Sequence, residues 1–188
     1  MTVNGHRVRL ATPADFPALL AALAWAIDWR LPTPAANAAQ RIAETGHAYL
    51  LAGWGRAGDL AVVAGPAAGA AWLRLWTEAE HSYGYIDAAT PELGIGLNPG
   101  FRGRGIGAAL LMALFEQAQR QGIRAISLSV EADNPALRLY ERFGFTRYAQ
   151  AGNAWTMIRY GGKLDLPPGS DIPVPASVVG PTSPQAPG

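Results

Sequence analysis

The sequence predicts an α/β (α+β) fold, a mixed central sheet of about six to seven strands flanked by helices. Three observations carry this. Two apolar runs, residues 60–64 and 70–77, flank a Gly65-Pro66 turn and read as an antiparallel hairpin. A short apolar run ending at Asn98-Pro99 passes through a glycine-rich loop into an apolar helix, about 107–121, and the run 125–130 follows. Strand, helix and strand in succession imply a right-handed parallel crossover. Residues 145–150 and 154–160 close around Gly152-Asn153 as a second antiparallel pair. Hairpins combined with a crossover give a mixed sheet.

In chain order, Val8 to Leu10 alternates with Arg7 and Arg9 and reads as a first strand. Thr12-Pro13 opens a helix, with Thr12 as N-cap and proline at the first position. The alanine- and leucine-rich stretch 16–29 continues it until Leu31-Pro32-Thr33-Pro34, and 35–45 reads as a second helix. Residues 47–54 carry no decisive period, and the glycines after them favour a helix exit. Residues 78–91 form a long connection holding Glu78, Glu80 and Asp87, with Tyr83 and Tyr85 between them and Glu92 following. Such a loop is either a solvated surface or part of a site. Ala108, Leu110, Leu111, Leu114, Phe115 and Ala118 form the apolar face of the long helix, and Gly122 caps it. Asn134-Pro135 starts a short helix, 137–143, ended by Gly144. Residues 1–160 therefore form one domain. Residues 161–188 are rich in Pro, Gly and Ser and are expected to be a disordered tail.

Composition excludes some chemistry. The chain has no cysteine, so it forms no disulfide, thiolate metal site or cysteine nucleophile of its own. A formal net charge of +1 gives no argument for a nucleic-acid or membrane-surface partner. The amino terminus lacks a signal-peptide core, and no apolar run is long enough to span a bilayer, so a cytoplasmic protein is expected.

The informative stretch is Leu93-Gly-Ile-Gly-Leu-Asn-Pro-Gly-Phe-Arg-Gly-Arg-Gly-Ile-Gly-Ala108. A strand that runs through glycines into a helix collects free backbone N–H groups at the positive end of the helix dipole, where a phosphate binds well. Gly103, Gly105 and Gly107 let the backbone approach an anion, and Arg102 and Arg104 add charge. The loop resembles the acetyl-CoA pyrophosphate motif of the GNAT superfamily of N-acetyltransferases, Gln/Arg-x-x-Gly-x-Gly/Ala. Arg102, Gly105 and Gly107 fill its fixed positions. A second segment, Ser129-Val-Glu-Ala-Asp-Asn-Pro-Ala-Leu-Arg-Leu-Tyr-Glu-Arg-Phe-Gly-Phe145, resembles the family's later signature, Asn followed by Leu-Tyr-Glu-x-x-Gly-Phe. The specific motifs lie between Pro91 and Phe145.

The resemblance implies an enzyme, an acyltransferase expected to be bacterial, that moves acetyl from acetyl-CoA to a primary amine by direct attack in a ternary complex, with no covalent enzyme intermediate. It implies that the backbone of Ile95 to Leu97 pairs with the pantetheine arm between two splayed strands, and that an N–H near Leu97 stabilises the oxyanion. It implies that the N–H groups of Gly103, Arg104, Gly105, Ile106, Gly107 and Ala108 cradle the pyrophosphate beside Arg102. Asn134 matches an asparagine that contacts the cofactor arm, and capping is compatible with that role. Tyr140 matches the tyrosine that protonates the departing thiolate; its alternative is a core residue with a satisfied hydroxyl. Glu92 stands where a carboxylate in many relatives deprotonates the amine, with Glu131, Asp133 and His81 as rivals and a surface role as its alternative. The early helices overhang the acceptor site in that fold, so Trp25 and Trp29 line a pocket or pack in the core. The acidic loop favours a cationic small-molecule or peptide amine, and a homodimer is an open option.

Two other readings compete. A GNAT-like module that binds acyl-CoA without turnover shares every motif above. A dinucleotide site would use Gly103-x-Gly105 and Glu131. However, the third glycine falls at Gly107, the insert 99–102 separates strand from glycines, and there is only one crossover.

Overall fold

The computed structural model describes residues 2–3, 5–33, 37–65 and 67–161. The expected tail, 162–188, and the first residues of the expected second helix, 35 and 36, lie outside the described residues. The strands are β1 (Thr2–Val3), β2 (His6–Leu10), β3 (Leu60–Ala64), β4 (Gly69–Arg74), β5 (Glu92–Leu97), β6 (Ala125–Glu131), β7 (Thr146–Ala151) and β8 (Ala154–Tyr160). The helices are α1 (Phe16–Ile27), α2 (Ala38–Glu44), α3 (Ile106–Arg120) and α4 (Leu137–Arg142). The strands form one sheet in the order β1-β2-β3-β4-β5-β6-β8-β7. The seven strands expected from the sequence are all present, and the two-residue β1 is added at the edge.

Both faces of the sheet centre are covered, which explains why the β3 sequence Leu-Ala-Val-Val-Ala is continuously apolar. Leu60, Val62 and Ala64 face Leu110, Leu111 and Leu114 of α3. Ala61 and Val63 face Leu19, Ala22 and Leu23 of α1 on the other side. The α3 face carries the larger core, joining β2 through β8.

Several boundaries moved. The Asp15 carboxylate accepts from the Thr12 N–H and hydroxyl, and a short 3-10 turn precedes α1. Residues 47–54 contain only a 3-10 turn, Ala48–Leu51, because the run is too short and too exposed at its ends to continue as a helix. β4 stops at Arg74, whose guanidinium is drawn under residues 50–52. α3 begins at Ile106, one residue before the expected start, because Gly105 adopts φ +75° and serves as N-cap. The N-cap of α4 is Ala136, and Asn134 acts one step earlier, accepting from the Ala136 N–H at 2.9 Å. Among the described residues, no helix is long and apolar enough to cross a membrane.

Candidate active site

The site forms where the sheet opens. β4 and β5 pair along the whole length of β5, from Gly69↔Leu97 to Arg74↔Glu92. β5 and β6, the parallel pair, share one register position, Glu92↔Ser127. The Ser127 N–H donates to the Pro91 carbonyl at 3.0 Å. Strand alternation then places the peptide groups of Leu93, Ile95 and Leu97 on the same edge, facing the gap where β6 has diverged. An extended ligand arm can pair there as an added strand does.

A cavity of about 550 Å³ continues from this gap to the start of α3. Of the sequence-nominated donor residues, Ile95, Leu97, Arg102, Gly103, Gly105, Gly107, Ala108, Asn134 and Tyr140 all line it. Ile106 and Arg104 do not contribute side chains. Ile106 is 1% exposed and packs in the core, and the Arg104 guanidinium lies 5.5 Å over the Phe101 ring. The first turn of α3 leaves the N–H groups of Ile106, Gly107 and Ala108 without intrahelical acceptors, and no side chain caps them. These donors sit at the positive end of a fifteen-residue helix.

Arg102 has a second task that the motif did not reveal. Its Nη1 donates to the Trp29 carbonyl at 2.8 Å and its Nη2 to the Trp25 carbonyl at 3.5 Å. It thereby holds the C-terminal end of α1 over the cavity, and Trp25, Ala26 and Trp29 form part of the wall. Trp29 is therefore not simply a core residue. Arg30 fastens the same segment from the other side. It pairs with Glu131 and Asp133 at the end of β6 and lies 4.1 Å over the Trp29 ring.

A second cavity, of about 490 Å³, meets the first. Ala26, Trp29, Ile95, Asn134 and Tyr140 line both. Glu92 lies in the second. Its Oε1 accepts from the Gly84 N–H at 3.0 Å and the Ser82 hydroxyl at 3.1 Å, and its Oε2 is buried without a partner among the described residues. Burial raises the Glu92 carboxyl to about 7, against the smaller opposite pull of Gly84, Ser82 and Trp76. Gly84 has to be glycine at this place: a Cβ there would lie 2.7 Å from the Leu128 backbone carbonyl carbon as well as from Glu92 Oε1. Tyr140 is 8% exposed, and its hydroxyl has no hydrogen-bond partner among the described residues. Burial pushes its phenol above the ordinary tyrosine value.

The rival bases are placed differently. Glu131 lines the second cavity, but hydrogen bonds and charge from Arg30 hold Glu131 and Asp133 below their ordinary values. His81 lines neither cavity; it stacks on Tyr85 and its Nδ1 lies 3.0 Å from the Ser82 carbonyl. The acidic loop contributes Ser82 and Tyr83 to the second cavity, whereas Glu78, Glu80 and Asp87 lie outside it. Sequence reasoning missed Trp72, Trp76, His47 and Arg74 in this wall, because no spacing marks side chains that converge from separate elements.

An opened parallel pair and an uncapped glycine-led helix thus border one cavity, and a buried carboxylate lies in the wall of the cavity beside it. The acetyltransferase (GNAT) family matches residues 20–145, and the chain belongs to it. The mycothiol acetyltransferase of Arthrobacter sp. (strain FB24) is 38% identical over 74 residues, 39% of this chain and 23% of that protein. The mycothiol acetyltransferase of Thermobispora bispora is 37% identical over 90 residues, 47% of this chain and 30% of that protein. The chain thus spans less than a third of the length of these relatives. Among solved structures, yncA of Salmonella typhimurium with its cofactor acetyl-CoA aligns with TM-score 0.58 at 22% identity, over 84% of this chain and 95% of that one. The PaiA N-acetyltransferase of Thermoplasma acidophilum in complex with coenzyme A gives 0.60 at 17%, over 85% and 99%. At these identities the structures show the fold.

Proposed function

We propose that this acetyltransferase carries acetyl from acetyl-CoA to a primary amine by direct attack, with the donor in the 550 Å³ cavity and the acceptor in the adjoining one. The observation that carries this reading is the continuous path of donor groups. It runs from the unpaired edge of β5 to the uncapped N–H groups of α3, with Tyr140 lining both cavities and Glu92 in the wall of the second.

The thioester supplies an activated acetyl group. Ile95 and Leu97 hold the arm that carries it, and the amides at the start of α3 hold its diphosphate. Glu92, with a carboxyl raised to about 7, is matched to taking a proton from an ammonium near neutral pH. Tyr140, buried beside the junction, supplies a proton to the departing sulfur. The N–C bond forms and the C–S bond breaks. Overall the ammonium loses two protons, one to solvent by way of Glu92 and one that ends on the thiol. Without turnover, a sensor would have no use for a base of this strength at the acceptor wall, which favours the enzyme.

The test is acetyl-CoA affinity of Gly105→Glu by calorimetry. Gly105 has φ +75°, so the substitution strains the turn and also puts a negative charge at the phosphate cradle. Binding should fall by at least about 100-fold in a folded variant, roughly the effect of one lost charge-assisted contact plus repulsion. Unchanged affinity would remove the donor assignment.

A further inference from the structure

The acceptor cavity has an unusual balance of groups. Its walls include Trp29, Trp72, Trp76 and Tyr83, from three separate parts of the chain. Its charges are not balanced by any available cation. Arg74 belongs to the wall, but its side chain is only 1% exposed. Its guanidinium donates to both oxygens of Asp59 and to the carbonyls of Leu50 and Ala52. A substrate carboxylate cannot reach it without breaking a buried ion pair. His47 is kept towards its neutral form by burial, against the smaller opposite pull of the Thr45 backbone carbonyl, which favours the proton. Arg30, at the rim, is already paired with Glu131 and Asp133. What remains is the Glu92 carboxylate, which has no basic partner among the described residues.

Each feature selects. An anionic group carried into this cavity would be desolvated beside Glu92 with nothing to pair it. A long polyamine would set its second ammonium among the tryptophans, where the other carboxylate of the wall, Glu131, is already paired with Arg30. An ammonium on a flat apolar body satisfies both parts: the charge meets Glu92, and the body fills the aromatic wall. The volume is in the range of pockets that enclose a single small organic molecule.

Resting on the acetyl-transfer reading above, we propose that the acceptor is an arylalkylamine, a primary amine on an aromatic body that carries no carboxylate or phosphate. Tyr83, at the rim and 61% exposed, is then a specificity residue that closes over the ring.

The experiment compares kcat/KM for matched pairs that differ by one carboxylate, tryptamine against tryptophan and 2-phenylethylamine against phenylalanine. Spermidine and a lysine peptide are run beside them, and acetyl-CoA affinity is measured separately by calorimetry. The decarboxylated member should exceed its partner by about 100-fold or more, as a site rejects a group it leaves unpaired. Tyr83→Ala should raise KM for tryptamine more than it lowers kcat, and Tyr83→Phe should restore most of the loss. Equal use of tryptophan, preference for spermidine or the peptide, or acetyl-CoA binding with no transfer to either aromatic amine would overturn the proposal while leaving the donor assignment standing. Absence of acetyl-CoA binding would instead sink the reading on which it rests.

Discussion

At the residue scale, the telling side chain is Glu92. In the unfolded chain its carboxyl titrates near the ordinary glutamate value, and in the fold burial holds it at about 7. Below the ordinary value the residue is protonated in both states. Between the two values only the unfolded chain releases the proton, so this group's contribution to stability is full in acid and is lost as pH rises towards 7. Function requires the ionised form, so the same burial that sharpens the base costs stability where the enzyme works. Glu92→Gln keeps an acceptor for Gly84 and Ser82 while removing the charge. It should lower kcat by about 100-fold or more and abolish the rise in rate centred near pH 7. It should also raise Tm at pH 8 and leave it nearly unchanged at pH 4, as thermal melts at the two pH values would show. A carboxylate with a merely superficial role would give neither the lost pH limb nor the stabilisation.

At the scale of elements, the end of α1 is pinned from two sides, by Arg102 through backbone carbonyls and by Arg30 through Glu131 and Asp133. The Arg30 contacts are half exposed, and salt screens them. Arg30→Gln should therefore raise the acceptor KM several-fold while barely changing Tm. Raising ionic strength should move the wild-type KM towards that of the variant, measured at saturating acetyl-CoA. What the sequence disclosed follows the same division. The strand, loop and helix of the donor site were legible because their chemistry is local: glycines, a helix start and one strand edge lie within sixteen consecutive residues. Even there, Arg102 was read only as a phosphate ligand, since its partners Trp25 and Trp29 are more than seventy positions away. The acceptor wall was largely illegible for the same reason. Trp72 and Trp76 come from β4 and just beyond it, Ser82 and Tyr83 from an irregular loop, and Trp29 from the turn after α1, with no spacing to link them. The acidic loop shows the converse error: its charges were conspicuous, but Ser82 and Tyr83 are what it brings to the cavity.

For the whole molecule, the distance between the α1 layer and the sheet decides whether the two cavities exist. That distance is set by glycine in β5. A Cβ at Gly96 would stand 1.7 Å from the Ala22 carbonyl oxygen of α1, and one at Gly94 would stand 2.3 Å from the Trp72 ring. The helix backbone rests directly on the strand at Gly96, so its end, carrying Trp25 and Trp29, reaches across the gap between β5 and β6. Gly96→Ala must displace α1 by backbone movement, because no flexible side chain is available to give way. Overpacking of this kind costs about 1–3 kcal/mol, which for a chain of this size lowers Tm by roughly 2–12 °C. The displaced helix would also withdraw the wall that Arg102 holds, so acetyl-CoA affinity should fall although position 96 adds no charge. Gly100→Ala is the control, as its Cβ would meet only Asn98 Oδ1 at an ordinary 3.5 Å. If Gly96→Ala melted and bound acetyl-CoA as the control does, the close seating of α1 on β5 could not be what shapes the site.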